Sequence, residues 1–221
     1  VELIQAYLEE FAEVATMQDN FKRTPLHLLC EAEVPNAELL KVYLNKYPGV
    51  ATMQDLDGKT PLHWLCLADK PNAELIKAYL EQCPEVATMQ NQDGMTPLHW
   101  LCAASEPNVQ CIMMYLKACP EAAKITDKCD QTALYLLCKA KKPNAECIKA
   151  YLEQCPEAAK ITDKYDQTAL NLLCKAKKPN AECIKAYLKQ CPEVVTMKDQ
   201  DGKTPLHWLC AASEPNVQCI M

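Results

Sequence analysis

Glycine is scarce in this chain, with four among 221 residues. No glycine-rich loop is present to cradle a phosphate. No apolar run approaches 18 residues, so no transmembrane helix is expected. An excess of positive charge is also lacking. The net charge of −6 argues against general nucleic-acid binding. Nowhere does a Ser/His/Asp or Cys/His set stand apart from its surroundings, as the residues of an active site normally do. No secretory leader is visible at Val1, where the chain opens on a helical pattern. No enzyme, cofactor, membrane or nucleic-acid role is therefore expected.

Proline and cysteine are plentiful, at fifteen each. Both recur with a period. Thr24, Thr60, Thr96, Thr132, Thr168 and Thr204 follow one another at steps of 36. A Pro-Asn pair keeps the same step: Pro35-Asn36, Pro71-Asn72, Pro107-Asn108, Pro143-Asn144, Pro179-Asn180 and Pro215-Asn216. One unit is copied through residues 1–221, giving a single array of about six repeats in phase, with both ends falling inside a repeat.

The unit beginning at Thr60 is readable residue by residue. Thr60 suits an N-cap, and Pro61 suits the first helical position, where a missing N–H costs nothing. Leu62, Leu65 and Cys66 make one apolar face of a short helix. Pro71 stops it and Asn72 caps a second helix, whose stripe is Leu75, Ile76, Tyr79, Leu80 and Cys83. Pro84 ends that helix. The stretch "TMQNQDG" then leads to the next Thr, with its Asp-Gly as a tight turn. Such a unit cannot bury its faces alone, and stacking the copies makes a continuous core.

"DGKTPLHWLC" followed by a second helix and "DQDGKTPLH" resembles the ankyrin repeat, whose signature is T-P-L-H-x-A in a 33-residue unit. The resemblance covers the whole chain, and four of six copies carry Thr-Pro-Leu-His. There are departures. The period is 36, Pro-Asn stands for Gly-His and Leu-Cys for Ala-Ala. Copies four and five read "TALYLLC" and "TALNLLC". The resemblance implies an all-α solenoid of ankyrin-like helix-turn-helix units with short loop or β-hairpin fingers. It also implies that the motif His bridges neighbouring repeats, and that fingers and first helices line a concave partner-binding surface.

Three residue types invite a chemical reading. The pairs His27/Cys30, His63/Cys66, His99/Cys102 and His207/Cys210 have helical spacing. Each unit offers two ligands, however, where zinc needs four, or three plus water. Tyr135 and Asn171 replace His while Cys138 and Cys174 stay, which a coupled ligand pair would not do. No metal site is expected. Trp64, Trp100 and Trp208 could form a ligand platform, but Leu28, Leu136 and Leu172 occupy the same position, favouring packing. Closing cysteines 83, 119, 155 and 191 match early cysteines 111, 147, 183 and 219 in the following units. Those positions differ by about 12 Å along the helix and about 10 Å sideways, too far for a disulfide, which needs Cα atoms within about 7 Å. Reduced, buried thiols and a reducing, cytoplasmic compartment are expected.

Variation between copies separates scaffold from surface. It falls on the fingers (Phe21, Leu56, Gln92, Lys128, Lys164, Tyr165), on the residue before the Thr (Arg23, Lys59, Met95, Lys203) and at the end of the first helix and its turn (Glu31, Leu67, Lys139, Lys142, Lys175, Lys178). These are the candidate partner-binding residues, with drift at solvated positions as the alternative. Copies four and five carry two "KAKK" turns where copies one to three carry Glu31, Glu33, Asp69 and Glu106. A basic patch over 124–178 is expected, either a solvated face or one suited to an acidic partner. Leu3, Ile4, Tyr7 and Leu8 at one end, and Leu206, Trp208 and Leu209 at the other, are expected to be exposed. The leading expectation is a protein–protein interaction scaffold. The alternative is an array that associates head to tail into a filament.

Overall fold

The computed structural model describes residues 2–212. The Pro215-Asn216 pair and Cys219 lie outside the described residues. Among those described, helices α1 (Glu2–Glu10) to α12 (Pro205–Ala211) alternate short and long. The short ones are α2 (Pro25–Glu31), α4 (Pro61–Leu67), α6 (Pro97–Ala103), α8 (Ala133–Lys139), α10 (Ala169–Lys175) and α12. The long ones between them are α3 (Ala37–Lys46), α5 (Ala73–Gln82), α7 (Val109–Ala118), α9 (Ala145–Gln154) and α11 (Ala181–Gln190). Each short helix packs on the next short helix and each long one on the next long one, so two rows of helices run along one solenoid.

The starts follow the capping residues. Pro occupies the first turn of α2, α4, α6 and α12, and Thr24, Thr60, Thr96 and Thr204 close capping boxes in which the third helical residue is His. Asn36, Asn72, Asn108, Asn144 and Asn180 cap the long helices by accepting main-chain N–H groups. The apolar stripes are buried as expected: Leu62, Leu65, Cys66, Ile76, Tyr79 and Leu80 all belong to the continuous core.

Two features depart from the sequence reading. Pro84 ends α5 but also opens a 3₁₀ helix, Pro84–Thr88, and every described unit has its counterpart. The buried tyrosines of the long helices hold these segments: Tyr79, Tyr115, Tyr151 and Tyr187 donate their hydroxyls to the carbonyls of Ala51, Ala87, Ala123 and Ala159 in the preceding unit. At the ends, Leu3, Ile4, Tyr7 and Leu206 are exposed, but Leu8 (1% exposed) and Leu209 (3%) are buried and Trp208 is half-buried.

The fingers are tight turns. Among the described residues, extended pairing is confined to single bridges, Thr126 with Thr132 and Thr162 with Thr168. A side chain replaces the hairpin ladder. In each finger one oxygen of Asp19, Asp55, Asn91, Asp127, Asp163 or Asp199 accepts the N–H groups two and four residues on, in an Asx turn. The turn needs a left-handed residue at its fourth position, filled by Gly58, Gly94 and Gly202 but also by Lys22, Asp130 and Asp166. At Gly58 and Gly94 the next finger presses close: a Cβ on Gly94 would stand 2.8 Å from the Lys128 nitrogen. Leu56, Gln92, Lys128 and Gln200 each donate a main-chain N–H to a carbonyl of the preceding finger.

Candidate functional site

The motif histidines are structural ties. In His27, His63 and His99, Nδ1 lies 3.0 Å from the main-chain nitrogen of the capping Thr. An N–H can only donate, so Nδ1 is the acceptor and the ring proton sits on Nε2. Nε2–H then donates at 3.1 Å to the carbonyl of Lys59, Met95 or Gln131 in the next unit. Both ring nitrogens are committed. Burial lowers the pKa of all three rings, that of His63 to about 4. Copy four reaches the next unit by another route: the Tyr135 hydroxyl donates to the carboxylate of Asp163 at 2.7 Å. Copy five lacks the tie. Asn171 accepts from Thr168 Oγ1, and its buried Nδ2 has no partner.

The variable residue before each Thr has two faces. Its main chain belongs to the scaffold, bonded to the finger Asp and, at Lys59, Met95 and Gln131, to the preceding His. Its side chain is half-buried beside the first helices. Lys59 holds its ammonium over the rings of Trp64 (5.0 Å) and Trp100 (5.3 Å) and pairs with Asp57. Lys203 and Lys175 both stack on Trp208. The tryptophans are thus part packing and part surface. Trp64 and Trp208 donate Nε1–H to the second carboxylate oxygen of the finger residues Asp55 and Asp199. In copy three that finger residue is Asn91. Its Nδ2 and the Trp100 Nε1 are both buried donors without partners.

The remaining candidates are distributed as follows. Phe21, Leu56, Lys128, Lys164 and Tyr165 are exposed on fingers. Gln92 is exposed too, but its amide donates to the Leu56 carbonyl and so serves the finger stack. Arg23 is engaged by Asp19 and Glu31, which neutralise it. Leu67 is 39% exposed at the end of α4, and Met95 is half-buried. Phe21, Arg23 and Leu56 meet Trp64 around a shallow cleft of about 240 Å³. Lys139, Tyr165 and Lys175 meet around another of about 430 Å³, shared with Asp163 and Asp199. Lys139, Lys142, Lys175 and Lys178 line a third of about 600 Å³. The sequence reading overlooked the finger Asp and a ladder of glutamines, Gln18, Gln54 and Gln90, each donating to a carbonyl 36 residues on. Their strict period was the available signal.

The cysteines behave as small buried groups. The fourteen described ones are unbridged, and all but Cys119, Cys129 and Cys210 are buried. Early helix thiols donate to the turn of the preceding unit: Cys111 to the Pro71 carbonyl, Cys147 to Pro107 and Cys183 to Pro143. Burial raises the pKa of these three to about 11. Among the described residues, no group of three His, Cys, Asp or Glu side chains could hold a metal, and no helix is long and apolar enough to cross a membrane.

No family model matches the chain, and no curated protein does. Solved structures do. The ankyrin repeat domain of Bcl-3, a member of the IκB protein family, superposes with a TM-score of 0.73 at 15% identity, covering 91% of this chain and 84% of that one. A chain from the complex of the predatory endopeptidase Bd0816 of Bdellovibrio bacteriovorus with immunity protein Bd3460 gives 0.67 at 17% identity, covering 92% and 97%. At such identities the likeness is one of fold, and the fold of this chain is an ankyrin-like repeat solenoid.

Proposed function

We propose that residues 1–221 form one array of 36-residue repeats acting as a non-enzymatic scaffold. It binds a protein partner across its finger and first-helix face, which is concave in arrays of this fold. One observation carries this reading. Finger residues and the residues before the Thr vary between copies in their side chains, while main-chain groups of Leu56, Gln92, Lys128 and Gln200 and the carbonyls of Lys59, Met95 and Gln131 are bonded between units. The scaffold therefore tolerates side-chain change there without loss of its ties. Buried thiols accord with a reducing, cytoplasmic setting. The similar chain from a complex containing an immunity protein is in keeping with a binding role.

Photo-crosslinking residues placed at Leu56 and Tyr165 should trap a protein from native extract, and the same residues at Lys77 and Lys149 on the long helices should not. Adducts on the long helices alone would reverse the assignment.

A second reading rests on the first unit. Leu3, Ile4, Tyr7, Pro25 and Tyr43 surround an apolar cleft of about 510 Å³, and Leu206 is 54% exposed in the last described helix. Inside the array, equivalent faces are covered by a neighbouring unit. Head-to-tail stacking of copies would cover these. Sedimentation decides between the readings: growth into rods with concentration favours stacking, and a monomer favours the scaffold alone.

A further inference from the structure

Many lysines of this chain stand beside carboxylates. Lys77 pairs with Glu81, Lys149 with Glu153, Lys124 with Glu157 and Lys160 with Glu193. Four lysines in or beside the turns after α8 and α10 differ. Among the described residues, no carboxylate lies within ion-pair distance of Lys139, Lys141, Lys142 or Lys177. Lys175 rests on the Trp208 ring instead.

The two turns belong to adjacent units and close around the cleft of about 600 Å³. Its volume is in the range of ligand-binding clefts. Lys139, Lys141, Lys142, Lys175 and Lys178 line it, and no Asp or Glu does. Its floor is apolar, made by Leu172, Leu173 and Pro143 with small alanines beside them. In a chain of net charge −6, this gathers one sign of charge over a greasy base. The equivalent turns of the first three copies hold Glu31, Glu33, Asp69 and Glu106, so the repeat geometry does not require lysine there.

We infer that this cleft docks an extended acidic segment of a partner protein, with an apolar side chain on the Leu172–Leu173 floor and carboxylates among the lysines of the two turns. The inference rests on the scaffold reading and specifies the partner's chemistry at one place. Geometry sets the spacing. Neighbouring helices lie about 8–10 Å apart, and an extended chain rises about 3.3 Å per residue. Carboxylates about three residues apart therefore meet successive turns, with the apolar residue between them. Lysine point charges attract carboxylates and phosphates alike, and it is the apolar floor that favours a peptide over a polyphosphate chain.

The test uses the full chain and a labelled, end-blocked octapeptide with two glutamates three residues apart flanking a leucine, read by fluorescence anisotropy. The glutamate peptide should bind. Replacing both glutamates by glutamine should weaken binding at least tenfold, and replacing the leucine by serine should weaken it severalfold. Lys139→Glu with Lys175→Glu should abolish binding. The neutral pair Lys141→Gln and Lys142→Gln, on one exposed turn, should weaken it while leaving the urea unfolding midpoint unchanged. The inference is overturned if glutamate and glutamine peptides bind alike, if the reversed variant binds as well as the parent, or if inorganic polyphosphate binds while the glutamate peptide does not. If the peptide fails but Leu56 and Tyr165 still crosslink a protein, this inference falls and the scaffold reading stands. If those crosslinks are lost as well, both fall.

Discussion

Acidification from pH 7 to 4.5 is expected to remove about 2 to 3 kcal/mol of stability through His63 alone. In the folded chain its ring is buried, accepts the Thr60 N–H at Nδ1 and donates from Nε2 to the Met95 carbonyl. Protonating Nδ1 would turn that acceptor into a donor facing a donor. Burial is the main cause of the drop in pKa to about 4, against about 6.5 in the unfolded chain. Between those values the unfolded state binds more protons, so stability falls as pH falls from about 6.5 and the loss is complete below about 4. His27 and His99 are shifted in the same direction and add to the effect. Urea unfolding at pH 7, 5.5 and 4.5 measures it. The triple variant His27→Asn, His63→Asn, His99→Asn, using the residue that copy five already carries, should be less stable at pH 7 and should lose most of the slope between pH 6.5 and 4.5. An equal slope in the variant would assign the acid sensitivity to other groups. Asp199 is one control. Burial raises its pKa, but hydrogen bonds from the Lys203 and Asp201 N–H groups and the Trp208 indole outweigh that and leave it lowered, so its contribution is lost at more acid pH.

Asn91→Asp is expected to stabilise the chain by about 1 kcal/mol or more, the scale of an unsatisfied buried donor. For a chain of this size that is a rise in Tm of about 2–4 °C per kcal/mol. Asn91 Oδ1 already accepts the Asp93 and Met95 N–H groups, which fixes the orientation of the amide. That leaves its Nδ2 at the position from which Asp55 and Asp199 reach their Trp, and both this Nδ2 and the Trp100 indole N–H are buried without a partner. Copies two and six show the remedy in the same fold, with Asp55 and Asp199 accepting from Trp64 and Trp208. The reverse change, Asp55→Asn, should lower Tm by a similar amount. Repeat arrays couple mainly to nearest neighbours, so hydrogen exchange should place the gain in the third unit and those touching it. No change in Tm would mean that water already satisfies the two donors.

Both effects arise where one unit meets the next or where a finger meets its helix, and such contacts were the least legible part of the chain. The Thr caps, the Pro at the first helical turn, the Asn caps and the stripes through Leu62, Ile76 and Tyr79 could be read directly. Each depends on residues within one or two helical turns, and six copies repeat the message. The finger was harder. Asp-Gly marked a tight turn, but half the left-handed positions hold Lys22, Asp130 and Asp166. The Asx turn that permits them depends on an Asp whose role shows only when its two oxygens are followed separately. The surface candidates were legible as a set of variable positions. Their grouping was not: Arg23 turned to Glu31, Gln92 to the Leu56 carbonyl, and four of the lysines to a common cleft.

A periodic pattern of caps, breakers and apolar stripes is local information. It settled the 36-residue unit, its two helices and the need to stack, because a helix start or an apolar face is decided by neighbours along the chain. Partner choice across the stack is set by atoms far apart in sequence. His63 finds a carbonyl 32 residues away, Tyr135 a carboxylate 28 away, and Lys139 and Lys175 share a cleft only because a whole unit is translated by one step. Hydrogen bonds and charge pairs depend on distance and direction, and those emerged only once the units were placed side by side.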